Sequence, residues 1–203
     1  MIWFTSDPHY WHKNIIRFCK RPFADIVEHN EGLINRHNTA VQPNDEVYIL
    51  GDFAFASKAR TIEVAKQLNG IKYLIRGNHD PRSEEFWTTE CGFQWVKDYY
   101  ELKVHNVYQS EEDETKFIQY HQPIVLCHYP LLSWNGMVHG AWHFHGHCHG
   151  TLQETPSFRK DIGVDTNNMS PWSYDELKAV MAMRSIQPAG HIEDKLHANT
   201  REA

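Results

Sequence analysis

The chain has 203 residues, enough for one domain with a substantial core and too few to expect two. With 41% hydrophobic and 23% charged residues it composes like an ordinary globular protein, and no apolar run reaches the length that crosses a bilayer. A net charge of −6 without a dense Lys/Arg cluster argues against a large footprint for duplex nucleic acid; 15 histidines beside 20 Lys plus Arg are the real compositional signal.

The amino end, Met1-Ile2-Trp3-Phe4, enters a strand without a basic region or cleavage site, so a cytoplasmic protein is expected. Cys19, Cys91, Cys127 and Cys148 lie far apart with no paired spacing and read as small buried hydrophobes. Strand alternation turns Cys127 and Cys148 away from their neighbouring histidines.

In chain order, Ile2-Trp3-Phe4-Thr5 is a strand that runs into Asp7-Pro8-His9. His12 to Lys20 forms a short helix, which Arg21-Pro22-Phe23 breaks. A second helical pattern sets Ile26, Leu33, Ile34, His37 and Val41 loosely on one side and ends near Gln42-Pro43-Asn44-Asp45. Strand 46–50 leads into Gly51-Asp52, a helix from Lys58 to Asn69 stops at Gly70, and strand 71–75 leads into Gly77-Asn78-His79-Asp80. The order β-α-α-β-α-β favours a layered α/β core.

Pro81 and a Ser cap open a helix over Ser83 to Cys91. Short strands follow at 99–104, at 116–120 after the acidic turn Glu111-Glu112-Asp113-Glu114, and at 123–127, which runs into His128. That meander predicts antiparallel strands in the second half. Tyr129 to Ala141 reads as a loop with a short helical piece. Strand 142–145 ends in His143-Phe144-His145-Gly146-His147-Cys148-His149, where alternation in an extended chain lets His147 and His149 converge on one point. A strand at 160–164 follows the turn Thr155-Pro156-Ser157, and Ser173 caps a last helix through about Arg184.

Five strands thus end in candidate ligands, as expected where neighbouring strand ends form a shared site. Asp7, His9, Asp52, Asn78, His128, His147 and His149 are more donors than one tetrahedral zinc needs and suit two metals sharing a carboxylate, with Asp52 as the bridge. Two divalent ions roughly 3.5–4 Å apart hold a hydroxide for in-line attack and neutralise a phosphoryl group. Mixed N/O ligation suits manganese first, with iron, zinc, nickel or magnesium as alternatives.

This ordered set, Asp7-x-His9, Gly51-Asp52, Gly77-Asn78-His79-Asp80, His128 and Gly146-His147-x-His149, resembles the calcineurin-like metallophosphoesterases. Ser6-Asp7-Pro8-His9-Tyr10-Trp11-His12 and Gly163-Val164-Asp165 resemble their small, uncapped bacterial and phage members. The resemblance, which runs from residue 7 to 149, implies a four-layer α/β/β/α sandwich of two mixed β-sheets flanked by helices; the phosphoesterase domain is expected over 1–187, and the polar composition after Gln187-Pro188 marks a tail over 188–203. It implies a first metal on Asp7, His9, Asp52 and His149, and a second on Asp52, Asn78, His128 and His147. His79 matches the family's general acid, with Asp80 orienting its imidazole.

The family's protein phosphatases carry Asp-Arg where this chain has Phe55-Ala56, which disfavours phosphoprotein substrates; Arg76 fits either a phosphate-gripping or a structural role. His12, His139, His143 and His145 have no motif position and read as supporting or surface residues. Tyr10, Trp11, Tyr129, Trp134 and Trp142 lie near the ligands in sequence and read as core or rim, or as a stacking wall for a base. The expected activity is hydrolysis of small phosphomonoesters or phosphodiesters, the partner being a small phosphorylated substrate without a membrane or a strong nucleic-acid footprint. The alternatives are a nuclease or cyclic-nucleotide phosphodiesterase, and a catalytically silent protein-binding scaffold. Oligomeric state is not legible.

Overall fold

The computed structural model describes residues 1–109, 115–153, 155 and 157–184. The acidic turn 111–114, Pro156 of the Thr155-Pro156-Ser157 turn and the polar tail lie outside them.

Strands β1 (Ile2–Thr5), β2 (Glu46–Ile49) and β3 (Ile71–Ile75) are parallel neighbours, with Trp3 opposite Val47 and Val47 opposite Lys72. β4 (Val96–Lys97) adds beside β3 and β9 (Trp172–Ser173) beside β1, giving the order β4-β3-β2-β1-β9. The second sheet has the order β5-β6-β7-β8, from β5 (Tyr99–Gln109), β6 (Phe117–Cys127), β7 (Trp142–His145) and β8 (Arg159–Asp161). Two mixed sheets with flanking helices result.

Alternation along the strands sorts their side chains between two cores. Phe4, Tyr48, Leu50 and Ile75 point inward to meet Ile124, Leu126, Phe144 and Ile162 of the second sheet. Val47, Ile49 and Leu74 point outward to Leu33, Val64, Ala65 and Trp87. Those partners come from α2 (Ile26–Ala40), α3 (Lys58–Gln67) and the π-helical turn Phe86–Glu90; the short α1 (Lys13–Phe18) precedes them. On the far face of the second sheet, Val125 packs with Trp134, Met137 and Ala141 of a loop holding one 3-10 turn. Each fully buried aliphatic or aromatic side chain contributes about 1.5–3 kcal/mol, so the two main cores dominate stability.

Three expectations are revised. The segments 116–120 and 123–127 form one continuous strand, since Pro123 sits opposite Lys103 one residue before β7 begins to pair, an edge position that tolerates a missing N–H. In the second sheet β5 and β6 pair antiparallel as expected, but β6, β7 and β8 run parallel, so the second half is not a simple meander; β9 joins the first sheet antiparallel to β1. The segment 83–91 closes as a π turn rather than a regular helix.

The last helix, α4 (Tyr174–Ala182), places Leu177 and Met181 in the core between the sheets. Ser173 accepts from the Glu176 N–H at 3.2 Å and Glu176 returns to the Ser173 N–H at 2.7 Å, a complete capping box. Replacing Ser173 by Ala removes one half of it and is expected to cost about 1 kcal/mol in urea denaturation, with an unchanged m-value. A Ser173→Ala protein as stable as the parent would show that the cap contributes nothing.

Candidate metal centre

The loops after β1, β2 and β7 leave their strands through left-handed turns. Asp7, His9, Asp52, His147 and His149 have φ of 56°, 51°, 52°, 67° and 50°. Such a conformation costs an L-residue about 1 kcal/mol or more, so these turns persist because their surroundings over-determine them. Backbone pairing continues past the strand ends: Asp7 N–H donates to Gly51 O, His9 N–H to Asp52 O and Tyr10 N–H to Phe53 O, each at 3.0 Å. The loops also close onto one another where no side chain intervenes. A Cβ on Gly77 would overlap the Asp52 carboxylate, and one on Gly146 would overlap Ser6 and the Asp7 carboxylate.

This folding gathers all seven predicted donors at one edge of the two sheets. Donor atoms of Asp7, His9 and His149 lie within 4.8 Å of one another, as do those of Asp52, His128 and His147. Asp52 stands between the groups, Oδ2 at 3.4 Å from His9 Nε2 and Oδ1 at 3.7 Å from His128 Nε2. Asn78 Oδ1 lies 3.1 Å from His128 Nε2 and 3.0 Å from His147 Nδ1. Donors sharing an ion at about 2.0–2.2 Å stand roughly 3–4 Å apart, which is the spacing found.

Asp7 Oδ1 and His9 Nε2 are buried without any hydrogen-bond partner. An uncompensated carboxylate oxygen there is costly unless a cation faces it. Burial pushes the Asp7 carboxyl up to about 7 despite His128 and His149 nearby, and burial, then His149, holds the His9 imidazole far below its ordinary value. The donor set therefore fits divalent cations.

Hydrogen bonds fix which ring nitrogen carries the lone pair. His128 Nδ1 lies 2.7 Å from Leu50 O, which only accepts, so Nδ1 donates and Nε2 is the atom that faces Asp52 and Asn78. His149 Nδ1 donates to Asp165 at 2.8 Å, which turns Nε2 toward Asp7. Burial alone would lower His149, but the bonds to Asp165 and then Cys19 raise it to about 10. Cys19 thus takes part in a cluster with His149 and Asp165, and only Cys91 of the four cysteines is buried. The other three do not behave as the buried hydrophobes expected.

Two supports were missed from sequence. The buried guanidinium of Arg21 uses all five N–H groups: Nε and one NH2 hydrogen grip Asp165 at 2.8 and 2.7 Å, and the rest reach Asp7 O, Pro8 O and His29 Nε2 at 2.7, 2.8 and 2.9 Å. Burial, then the Arg21 charge, lowers His29 to about 4, consistent with a neutral acceptor. Asp80 does not orient His79. Its carboxylate accepts from Asp52 N–H, Phe53 N–H and Gly77 N–H at 2.7, 3.0 and 2.9 Å, clamping the Asp52 and Asn78 loops together.

The convergence of His147 and His149 does not come from strand alternation. Both follow the end of β7 in left-handed turns and belong to opposite groups. His79 is half exposed, its Nε2 4.0 Å from Asp52 Oδ2 and its ring 5.3 Å from that of Phe55. His12 stacks on Phe55, while His143 and His145 are buried and bond to backbone carbonyls. Tyr10, Trp134 and Trp142 belong to the core, whereas Trp11 and exposed Tyr129 lie at the rim. Arg76 pairs with Asp98 at 3.1 Å.

Two outcomes follow from the supports. Arg21→Met leaves Asp165 buried without its cation and is expected to destabilise the fold by about 3–5 kcal/mol in urea denaturation; a loss under about 1 kcal/mol contradicts the bracing role. For loading, His149 must give up a proton at any pH below its raised value, and Asp7 must give one up at acid pH. Calorimetric titration with Mn²⁺ is therefore expected to show affinity weaker at pH 6 than at pH 8 by on the order of a hundredfold or more, while equal affinities would contradict ligation by His149.

Comparison with known proteins gives the family. Residues 1–172 match the family model for calcineurin-like phosphoesterases. The chain is 35% identical over 184 residues to the uncharacterized protein MJ1445 of Methanocaldococcus jannaschii, covering 86% of this chain and 87% of that one. It is 36% identical over 81 residues to the Gene 66 protein of Mycobacterium phage L5, covering 38% and 39%. In fold it resembles AQ665 of Aquifex aeolicus, a protein of unknown function, with a TM-score of 0.61 at 22% identity over 89% of this chain and 98% of that chain. No helix among the described residues is long and apolar enough to cross a membrane. The chain belongs to the calcineurin-like phosphoesterase family of metal-dependent hydrolases.

Proposed function

We propose that the protein hydrolyses small phosphomonoesters or phosphodiesters at a centre of two divalent cations, manganese first among them. The observation that carries this reading is the pair of donor groups joined by Asp52, with Asp7 Oδ1 and His9 Nε2 buried and without hydrogen-bond partners. Asp7, His9, Asp52 and His149 hold one cation; Asp52, Asn78, His128 and His147 hold the other. When bound, such a pair supplies an activated water and neutralises charge on the phosphoryl group.

The chain's own residues do the rest. Asp165 and Leu50 O fix His149 and His128 in the tautomers that present Nε2. Asp52 is held in place by its left-handed turn and by the His79 N–H, which donates to its Oδ1 at 2.8 Å. The half-exposed His79 stands at the open side and gives a proton to the leaving alkoxide. A protein-binding scaffold would leave the orphaned Asp7 and His9 atoms without a physical account.

His79→Ala is expected to lower kcat for an alkyl phosphate by about 10²–10⁴-fold and to matter much less for p-nitrophenyl phosphate, whose leaving group needs no proton. Bound metal, measured in parallel, is expected to stay the same. Wild-type turnover of the alkyl ester by His79→Ala would remove His79 from this role.

A further inference from the structure

Beside His79 the surface opens into a cleft of about 470 Å³, within the range of small-molecule sites, with Trp11, Phe55, Arg60, Pro81 and Arg82 in its lining. It adjoins the half of the centre that carries His9, whose ring is 5.6 Å from that of His79. The aromatic walls are held by backbone. Tyr10 bridges Ala54, Phe55 N–H donates to Tyr10 O at 2.8 Å, and Trp11 N–H donates to Asn30 Oδ1 at 3.0 Å. Phe55 is nonetheless 55% exposed, an apolar surface kept rigid beside a polar centre.

The charge of the cleft is equally specific. Arg60 lies 4.1 Å above the Trp11 ring; Arg82 lies 5.0 Å from the Phe86 ring and donates to Ala56 O at 2.7 Å. Neither guanidinium has a carboxylate partner among the described residues. The first turn of α3 holds no acidic residue but does hold Lys58 and Arg60, cations placed against the helix dipole. In a chain of net charge −6, two guanidiniums held by ring and backbone contacts, without carboxylates to neutralise them, thus line one cleft.

A general acid must stand on the side of the leaving oxygen. We propose that this cleft receives the leaving alcohol and selects one that bears a planar ring and a second anionic group, the chemistry of a mononucleotide. The inference rests on His79 being the acid. In the step, the bond from phosphorus to the leaving oxygen breaks, and one to the oxygen of water forms. The His79 proton passes to the leaving oxygen, and the proton lost by water restores His79. The ring packs against Trp11 and Phe55 while Arg60 and Arg82 meet the second anion.

The test compares kcat/KM, in Mn²⁺, for methyl phosphate, adenosine 3′-monophosphate and adenosine 3′,5′-bisphosphate. The leaving alcohols carry neither feature, the ring alone, and ring plus anion. The expected order rises along the series, with the bisphosphate at least tenfold above the monophosphate. Arg60→Ala and, separately, Arg82→Ala are expected to reduce that ratio at least tenfold, and Arg60→Lys to restore most of it. A flat series, or a ratio that Arg60→Ala and Arg82→Ala both leave unchanged, overturns the inference while methyl phosphate turnover keeps the phosphoesterase reading. No turnover of any of the three esters sinks both.

Discussion

The candidate centre depends on a buried cation that belongs to the protein. Arg21 lies inside the molecule with five donors on five acceptors, and those acceptors are the parts that must not move: the backbone of Asp7 and Pro8, the carboxylate behind His149, and the ring of His29. A desolvated guanidinium is stable only when fully paired, so any shift of the β1 loop or of Asp165 exposes several kcal/mol of unmet charge. Asp80 braces the other half with three backbone N–H groups. Between them, two buried charges set the positions of four loops.

That bracing explains how five donor residues remain in left-handed turns. At about 1 kcal/mol or more each, their cost is comparable to the whole stability margin of a small domain. The strain has a geometric return, since a tight left-handed turn brings alternate side chains of Asp7-Pro8-His9 and His147-Cys148-His149 into a small volume from different directions. The same rigidity extends outward through the Tyr10–Ala54 bridge to the aromatic walls beside His79, so the centre and its adjoining cleft form one fixed surface.

Much of this was legible in the sequence. Apolar runs at 2–5, 46–49, 71–75 and 142–145 have the length and β-branched or aromatic content of strands, and the Asp, Asn and His donors stand just after them. The Ser173 cap and its Glu176 partner lie three residues apart and could be read directly. What escaped was non-local. Nothing local links Arg21 to Asp165 across 144 residues, and Arg21 before a proline looked only like a helix stop. The two-residue strands β4 and β9 are too short for periodicity to register, and Pro123 seemed to start a new strand although it lies within β6. The family resemblance implied that Asp80 orients His79, yet its carboxylate turns to the backbone of the neighbouring loops.

The account's central claim is that Asp52 is shared by two cations. The direct measurement is metal content per chain by mass spectrometry after saturation with Mn²⁺ and desalting, for the wild type and for Asp52→Asn. The account predicts two equivalents for the wild type and fewer than one for Asp52→Asn, since each group loses its common carboxylate. A wild type holding one equivalent or none, or an Asp52→Asn protein that keeps two, would contradict it.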